Sequence, residues 1–408
     1  MSASAAMTTT HAATPRLTAP IILLMSIATG LTVASNYYAQ PLLHTIGQQF
    51  GLSTTAAGAI VTTAQVSYAA GLLFLVPLGD LLERRRLIVL MTLCSAAGLL
   101  VTAFATSIGM VFLGTALTAV LSVVAQVLVP YAATLAEPET RGKVVGTIMS
   151  GLLLGILLAR TAAGALADLG SWRTIYWVAA ILLVLCAAAL WRALPASRNP
   201  TQLSYPQLLR SIGELFRDEP LFRARAVLGA LSFAMFSVLW TSLTFLLAGP
   251  DYGYSDTTIG LLGLAGAAGA LAASRVGRLA DRGLANRSTR VGLLLLLVSW
   301  LPLAFAPVSL TALIVGILVL DLAIQAVHVT NQSAIYRIRP EARSRLTAGY
   351  MTAYFIGGAL GSLVSATAYG MAGWHGVCAA GTVLALAALA YEWLTPGAHV
   401  PDLPAAAN

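Results

Sequence analysis

Residues 138–143 read PETRGK, and residues 340–345 read PEARSR. The two stretches lie 202 residues apart, and Asp80 and Asp281 recur with an offset one residue shorter. Four further pairs keep the same offset of 202: Trp172 with Trp374, Ser53 with Ser255, Gly58 with Gly260, and Gly155 with Gly357. The two halves of the chain are therefore predicted to be copies of one structural unit.

Between these markers the chain consists of apolar stretches about 20 residues long, the length that crosses a bilayer. Only 9% of the 408 residues are charged, whereas soluble domains carry about 25%. In lipid each segment must satisfy its own backbone hydrogen bonds, so helices are predicted instead of barrel strands. The predicted spans are 19–43, 55–78, 87–106, 110–135, 143–168, 172–194, 224–248, 256–279, 290–306, 309–335, 344–369 and 374–394.

Each copy contains six spans, so the predicted fold is an all-α membrane protein with twelve transmembrane helices in two pseudo-symmetric six-helix bundles. An even number of spans gives both copies the same orientation, and such parallel repeats hold the substrate path between them near the bilayer midplane. The first span lacks a signal-peptide cleavage site and is expected to be retained. The predicted domains are a disordered tail at 1–18, an N-terminal bundle at 19–194, a linker at 195–223, a C-terminal bundle at 224–395 and a tail at 396–408.

The basic residues predict the orientation of the chain. Of 23 Lys and Arg residues, 21 lie on one side of the predicted membrane, whereas Arg173 lies on the other and Arg160 lies within span five. Basic loops stay in the cytoplasm, so both termini are expected to be cytoplasmic. The net charge of +8 therefore reflects membrane topology, and nucleic acid is not an expected partner, because the basic residues are spread over short loops.

Catalytic and metal-binding patterns are missing from the sequence. Cys94, Cys186 and Cys378 have no metal-binding or redox spacing and are expected to be small buried residues. We also find no nucleophile paired with a base and no phosphate-binding loop. An enzyme is therefore excluded, and neither a metal nor a cofactor is predicted.

Two charged residues lie deep in predicted spans, where a charge costs at least ~2.5–3.5 kcal/mol and usually faces a functional cavity. Asp321 begins a stripe with Gln325, His328 and Asn331, spaced to lie on one helix face. Burial favours the protonated form of a carboxyl group, so Asp321, together with His328, is the candidate for proton coupling. The alternative is a structural interhelical contact for either residue.

Arg160 is the second deep charge, and its guanidinium suits a carboxylate, a phosphate or a carbonyl-rich substrate. Packing against backbone carbonyls or pairing with a carboxylate remain alternatives, and a pair with Asp321 would link the two halves. Neutral amides and tyrosines in other spans suit an uncharged or amphipathic ligand, or else they form interhelical hydrogen bonds. The complete set of candidate substrate-binding residues is Asn36, Tyr37, Gln40, Gln65, Tyr68, Gln126, Arg160, Gln325, Asn331, Tyr350 and Tyr354.

Two loops carry a shared signature. Residues 277–283 read GRLADRG, and residues 79–85 read GDLLERR. Both resemble the Gly-x-x-x-Asp-Arg-x-Gly-Arg-Arg loop of the major facilitator superfamily, and the resemblance covers about residues 20–395. A carboxylate at a helix end can pair with an arginine in one state and release it in another; the alternative is a solvated basic loop. The expected gating residues are Asp80, Arg84, Arg85, Asp281 and Arg282.

Two further stretches, NYYAQPLL at 36–43 and GLLLGILLAR at 151–160, are similar to a drug/proton antiporter-like branch that includes purine-nucleoside and sugar efflux pumps. This resemblance implies a monomer that exports a drug or metabolite in exchange for protons across a bacterial inner membrane, surrounded by lipid. Arg160 stands where that branch has a helix-bending proline. An importer or facilitator is the alternative, and a non-transporting membrane sensor is a weaker one.

Overall fold

The computed structural model describes residues 17–137, 139–197, 204–266, 285–339 and 342–395. These residues form helices joined by short turns, with a short 3-10 helix at Val76–Asp80. The helices are α1 (Ala19–Ala34), α2 (Ala39–Phe50), α3 (Thr54–Phe74), α4 (Arg84–Ala103), α5 (Ile108–Leu121), α6 (Val124–Leu135), α7 (Arg141–Leu169), α8 (Thr174–Ala193), α9 (Tyr205–Asp218), α10 (Pro220–Ala248), α11 (256–266), α12 (Ala285–Ala304), α13 (Leu310–Ile335) and α14 (Arg343–Leu394).

Ten helical segments of the described chain are long and apolar enough to cross a membrane. The 52-residue α14 counts as two spans, because Ala372 and Gly373 leave the helical region and Gly373 has a φ of 59°. Helix α11 begins at residue 256, where the eighth span was predicted. The all-helical fold with its apolar spans is therefore confirmed.

Two of the spans are interrupted at mid-length. The first is broken between α1 and α2, at residues 35–38, and the fourth between α5 and α6, at residues 122–123. The breaks face each other, because the hydroxyls of Ser35 and Ser122 lie 2.8 Å apart and hydrogen-bond. Irregular backbone is tolerated at membrane depth when it is buried in protein.

The interface between the halves follows the internal repeat. We call the end at which α1 begins and α14 finishes the terminal end, and the opposite end the far end. Gly58 of α3 packs against Ala366 of α14, and Gly260 of α11, its equivalent in the other half, packs against the backbone of Arg160 in α7. A Cβ at either glycine would clash, so both contacts depend on a bare backbone.

Helix α9 was not identified in the sequence, where residues 195–223 were interpreted as a polar linker. It is amphipathic and buries Leu208, Ile212 and Leu215. The Tyr205 hydroxyl donates a 2.8 Å hydrogen bond to the carbonyl of Phe74, so the linker is anchored to the N-terminal half. The seventh span begins directly afterwards, at Pro220, four residues before the predicted position.

Candidate functional site at the interface of the halves

Arg160 lies where the two halves meet. Its side chain is only 4% exposed, and its Nε donates a 2.8 Å hydrogen bond to Oε1 of Gln40 in α2. The guanidinium carbon lies 4.1 Å from the ring centroid of Trp240 in α10 and 5.0 Å from that of Tyr37. Phe236 of α10 lies at 5.6 Å. Both halves therefore supply the aromatic rings around one buried cation, a favourable arrangement when water is excluded.

Asp321 lies at the N–H edge of Trp240, whereas Arg160 lies over the ring. Its carboxylate is 6% exposed, and Oδ1 accepts a 3.4 Å hydrogen bond from the indole Nε1 of Trp240. Within the described chain no nitrogen of Arg160 comes within 4.0 Å of an Asp321 oxygen, so the two charges are not directly paired. Trp240 thus contacts both a cation of the N-terminal half and an anion of the C-terminal half.

The described part of α11 makes room for both charges. Gly260, Gly263 and Gly266 are spaced three residues apart and lie on one helix face. A Cβ at Gly263 would meet the side chain of Arg160 at 3.2 Å, and one at Gly266 would collide with Oδ2 of Asp321. Gly263 and Gly266 therefore allow the side chains of Arg160 and Asp321 to pack directly against the helix.

Several buried polar atoms at this interface lack a hydrogen-bond partner among the described residues. They include Nη2 of Arg160 and Nε2 of Gln40, two donors on side chains that are already bonded to each other. A buried donor without an acceptor costs about 1–3 kcal/mol. These atoms therefore mark a place where acceptor atoms from a ligand or water are needed.

Nearer the terminal end, a second cluster is aromatic. His328 Nδ1 lies 3.1 Å from the hydroxyl of Tyr350, and the His328 ring lies 4.8 Å from that of Tyr354. Tyr354 stacks on Phe233 at 4.1 Å. Tyr68 of the N-terminal half packs on Phe355 with centroids 4.3 Å apart, so this cluster also crosses the interface.

The remaining predicted binding residues are dispersed. Asn36 lines a small cavity inside the N-terminal half, together with Thr115 and Tyr176, and does not reach Arg160. Gln65 is buried, whereas Gln126 and Gln325 are partly exposed. Of the predicted set, Tyr37 and Gln40 contact Arg160, whereas Tyr350 and Tyr354 pack together around His328 in the aromatic cluster.

The polar stripe on α13 does not face a single site, because Asn331 has partners different from those of Asp321. Asn331 is fully buried, and its Oδ1 accepts a 3.3 Å hydrogen bond from Nη1 of Arg225 in α10. Arg225 is 1% exposed and also donates to Thr289 at 2.6 Å and to Asn286 at 3.1 Å. Asn331 therefore belongs to a polar cluster inside the C-terminal half. Arg225 is one of the 21 basic residues assigned to one side of the membrane, and its burial was not predicted.

The predicted gating residues of the loop at residues 79–85 lie within the N-terminal half. Arg84 pairs with Asp80 at 3.4 Å and donates to the carbonyl of Gly79 at 3.0 Å and to Thr134 at 3.2 Å. Arg85 donates to the carbonyl of Leu194 at 3.4 Å. In this state these arginines hold the N-terminal half together. The other two predicted gating residues, Asp281 and Arg282, lie outside the described residues.

The far end is closed by polar contacts that were not predicted from the sequence. The hydroxyl of Thr45 donates a 2.7 Å hydrogen bond to Oδ2 of Asp256, and the backbone N–H of Thr257 donates a 3.0 Å bond to Oδ2 of Asp168. Thus each half contributes one carboxylate to the other half. Gly164 packs directly against the carbonyl of Asp256 at the same place.

Comparison with known proteins gives consistent results along the chain. The family profile described as Major Facilitator Superfamily matches residues 25–336. The uncharacterized transporter YgaY of Escherichia coli O157:H7 is 63% identical over 377 residues, which cover 92% of this chain and 96% of that protein. A transporter of Streptomyces coelicolor is 34% identical over 368 residues, 90% of this chain and 85% of that one.

Solved structures show the same fold. A bacterial homologue of the human lysosomal transporter Spinster, in an inward-facing and occupied conformation, superposes with a TM-score of 0.74 at 15% identity and covers 95% of this chain and 98% of its own. The human organic anion transporter MFSD10 superposes with a TM-score of 0.67 at 17% identity, covering 91% and 98%. At these identities the likeness concerns the fold alone.

Proposed function

Because the chain belongs to the major facilitator superfamily, we propose that it is a secondary active transporter that exports a small organic molecule in exchange for protons. The coarser part of this statement is established: the chain is a multi-pass membrane transporter of that superfamily and not an enzyme. Alternating access, proton coupling and efflux are the proposed parts. The proposed unit is a monomer surrounded by lipid.

One observation carries the proposal. Arg160 of one half and Asp321 of the other are buried against the ring face and the N–H edge of Trp240, without a direct ion pair. A buried charge that lacks a direct counter-ion is costly, and a charge kept inside a membrane span usually serves function. If the halves rock about this point, each charge exchanges its surroundings between the two states. Asp321 would then take up a proton on one side of the membrane and release it on the other, with His328 as a second carrier.

The direction of export follows from the proposed orientation. The excess of basic residues at the terminal end supports a cytoplasmic location for that end, in a bacterial inner membrane. The contacts of Asp168 and Asp256 close the far end in this structure. A substrate would enter from the terminal end, and the ion pair of Asp80 and Arg84, with Arg85, Asp281 and Arg282, would act as the gate there.

Transport in proteoliposomes tests this proposal. A substrate identified by a thermal-shift screen of metabolites and drugs should accumulate in vesicles with an acidic interior, because exchange moves it against the protons. Asp321→Asn should abolish this pH-driven accumulation, whereas the exposed control Asp218→Asn should keep it. Accumulation in vesicles with an alkaline interior would indicate an importer, and binding without flux would indicate a sensor.

A further inference from the structure

We propose that the site between the halves binds a small zwitterion, with its carboxylate on Arg160 and Gln40 and its protonated amine on Asp321. This inference rests on the proposed function, because it assigns a substrate class to the same site. Three features of the described residues support it: two unpartnered donors, a carboxylate oxygen that accepts no hydrogen bond, and the separation of the two charges.

The donors define the carboxylate end of the ligand. The bond from Arg160 Nε to Gln40 Oε1 holds the two side chains together at 2.8 Å. Nη2 lies on the same edge of the guanidinium as Nε, and both Nη2 and Nε2 of Gln40 are buried without acceptors. Because Nε already donates to Gln40, the donors left for a ligand are Nη2 and the Gln40 amide, and two neighbouring donors suit the two oxygens of a carboxylate.

Asp321 defines the amine end. Its Oδ1 is held by Trp240, whereas Oδ2 points toward Gly266, where any larger residue would collide with it. No donor among the described residues bonds to Oδ2, so this oxygen can accept a hydrogen bond from an amine. The face of Trp240 already attracts the guanidinium of Arg160, and an aromatic face also favours an ammonium group beside it.

The separation of the charges favours a ligand that carries both signs. Arg160 and Asp321 come from opposite halves, are both buried, and are more than 4.0 Å apart. A ligand with one charge would neutralise one residue and leave the other buried without a partner. A zwitterion gives each residue a charged partner and connects the two halves. Its binding therefore favours the arrangement in which the halves are in contact at this site.

The same geometry determines the sign of proton coupling. The amine of the ligand and a proton compete for the carboxylate of Asp321, so binding of one weakens binding of the other. Such competition produces exchange, as the proposed export requires. A ligand with a carboxylate alone would instead favour a protonated Asp321 and would travel together with the proton.

Binding to the purified full-length protein tests the proposal. The probes are the standard amino acids, each compared with its deaminated acid and its decarboxylated amine; for phenylalanine these are 3-phenylpropionate and phenethylamine. We expect at least one amino acid to raise the unfolding temperature and to bind about tenfold or more tightly than either counterpart, because each counterpart loses one charged contact. Equal binding of a counterpart, or no binding of any amino acid, would overturn the proposal.

Substitutions at the two charges separate recognition from a structural role. Asp321→Asn should lose the preference for the amino acid over its deaminated acid, and Arg160→Gln should lose the preference over the amine. The exposed residues Arg210 and Asp218 provide matched controls as Arg210→Gln and Asp218→Asn, with both preferences kept. A uniform loss of binding for all three probes in both site variants would show a structural role and contradict the assignment.

The proposed substrate class and the proposed function can be refuted independently. If an amino acid binds as expected but moves through proteoliposomes without protons, the coupling proposal fails and the substrate class stands. If protons exchange through Asp321 against a substrate of another class, the transport proposal stands and the zwitterion is wrong.

Discussion

Gly164 offers a direct perturbation of the closed far end. It lies near the end of α7, where a Cβ would come within 2.6 Å of the carbonyl carbon of Asp256 and still closer to its oxygen. Ordinary contacts of a Cβ begin at about 3.4 Å, so Gly164→Ala requires the two backbones to part by at least 0.8 Å. Backbone cannot rotate away as a side chain can, and the halves must therefore separate locally.

The expected effect follows from the cost of such overpacking, about 1–3 kcal/mol. Because this cost applies only when the far end is closed, the ratio of open to closed molecules should rise by about 5- to 150-fold. The control is Gly146→Ala on the same helix, where a Cβ would meet nothing within 4 Å. Both variants gain the same helix propensity, about 1 kcal/mol, so only the contact differs between them.

The assay is a distance measurement by electron paramagnetic resonance. Spin labels on Gln48→Cys and Asp251→Cys, both exposed at the far end, report its opening once the three native cysteines are replaced. Gly164→Ala should add a population with a longer distance, and Gly146→Ala should match the parent. Identical distributions in two folded variants would show that the clash is absorbed without moving the halves.

Three further variants test other parts of the structure. Asp321→Asn should retain folding but lose pH-driven transport in proteoliposomes, and transport at the parental rate would exclude this carboxylate as the proton carrier. Arg225→Ala should lower the free energy of unfolding by about 3 kcal/mol, measured by thermal unfolding against the exposed control Arg86→Ala, because a buried polar cluster loses its central donor. Asp168→Ala removes the acceptor for the N–H of Thr257, which should destabilise the closed far end by about 1 kcal/mol. The ratio of open to closed molecules in the same distance assay should therefore rise about fivefold.

Hydropathy and the internal repeat predicted the spans well, because lipid admits only long apolar helices. The ends of the spans were less predictable. The first span was predicted to finish at residue 43, since polar residues such as His44 and Gln48 follow. In the structure α2 continues to Phe50 and ends at Gly51, whose φ of 62° terminates the helix. The polar residues are tolerated there because this turn is at the far end and not in the apolar interior.

The break in the first span and helix α9 could not be predicted from hydropathy. The break depends on a contact between Ser35 and Ser122, which are 87 residues apart. Helix α9 is short and amphipathic, so its average composition is that of a polar connection, and only its periodicity at Leu208, Ile212 and Leu215 identifies it.

The two deep charges were predicted as functional candidates because charge in an apolar span is conspicuous. Their neighbours were not predictable, since Trp240 is an ordinary residue of an apolar span until packing brings it into contact with both Arg160 and Asp321. The stripe on α13 predicted a shared face for Asp321 and Asn331, yet Asn331 binds Arg225 inside its own half. The burial of Arg225 could have been suspected from Pro220, because proline favours the first turn of a helix.

Paired distance measurements at both ends of the molecule test the central claim, that the halves rock about the Arg160, Trp240 and Asp321 contact. A second label pair on Glu139→Cys and Ser344→Cys reports the terminal end, where both positions are exposed. When Gly164→Ala lengthens the far-end distance, we expect the terminal-end distance to shorten in the same proportion of molecules. A terminal-end distance that stays fixed, or lengthens together with the far end, would contradict alternating access about this contact.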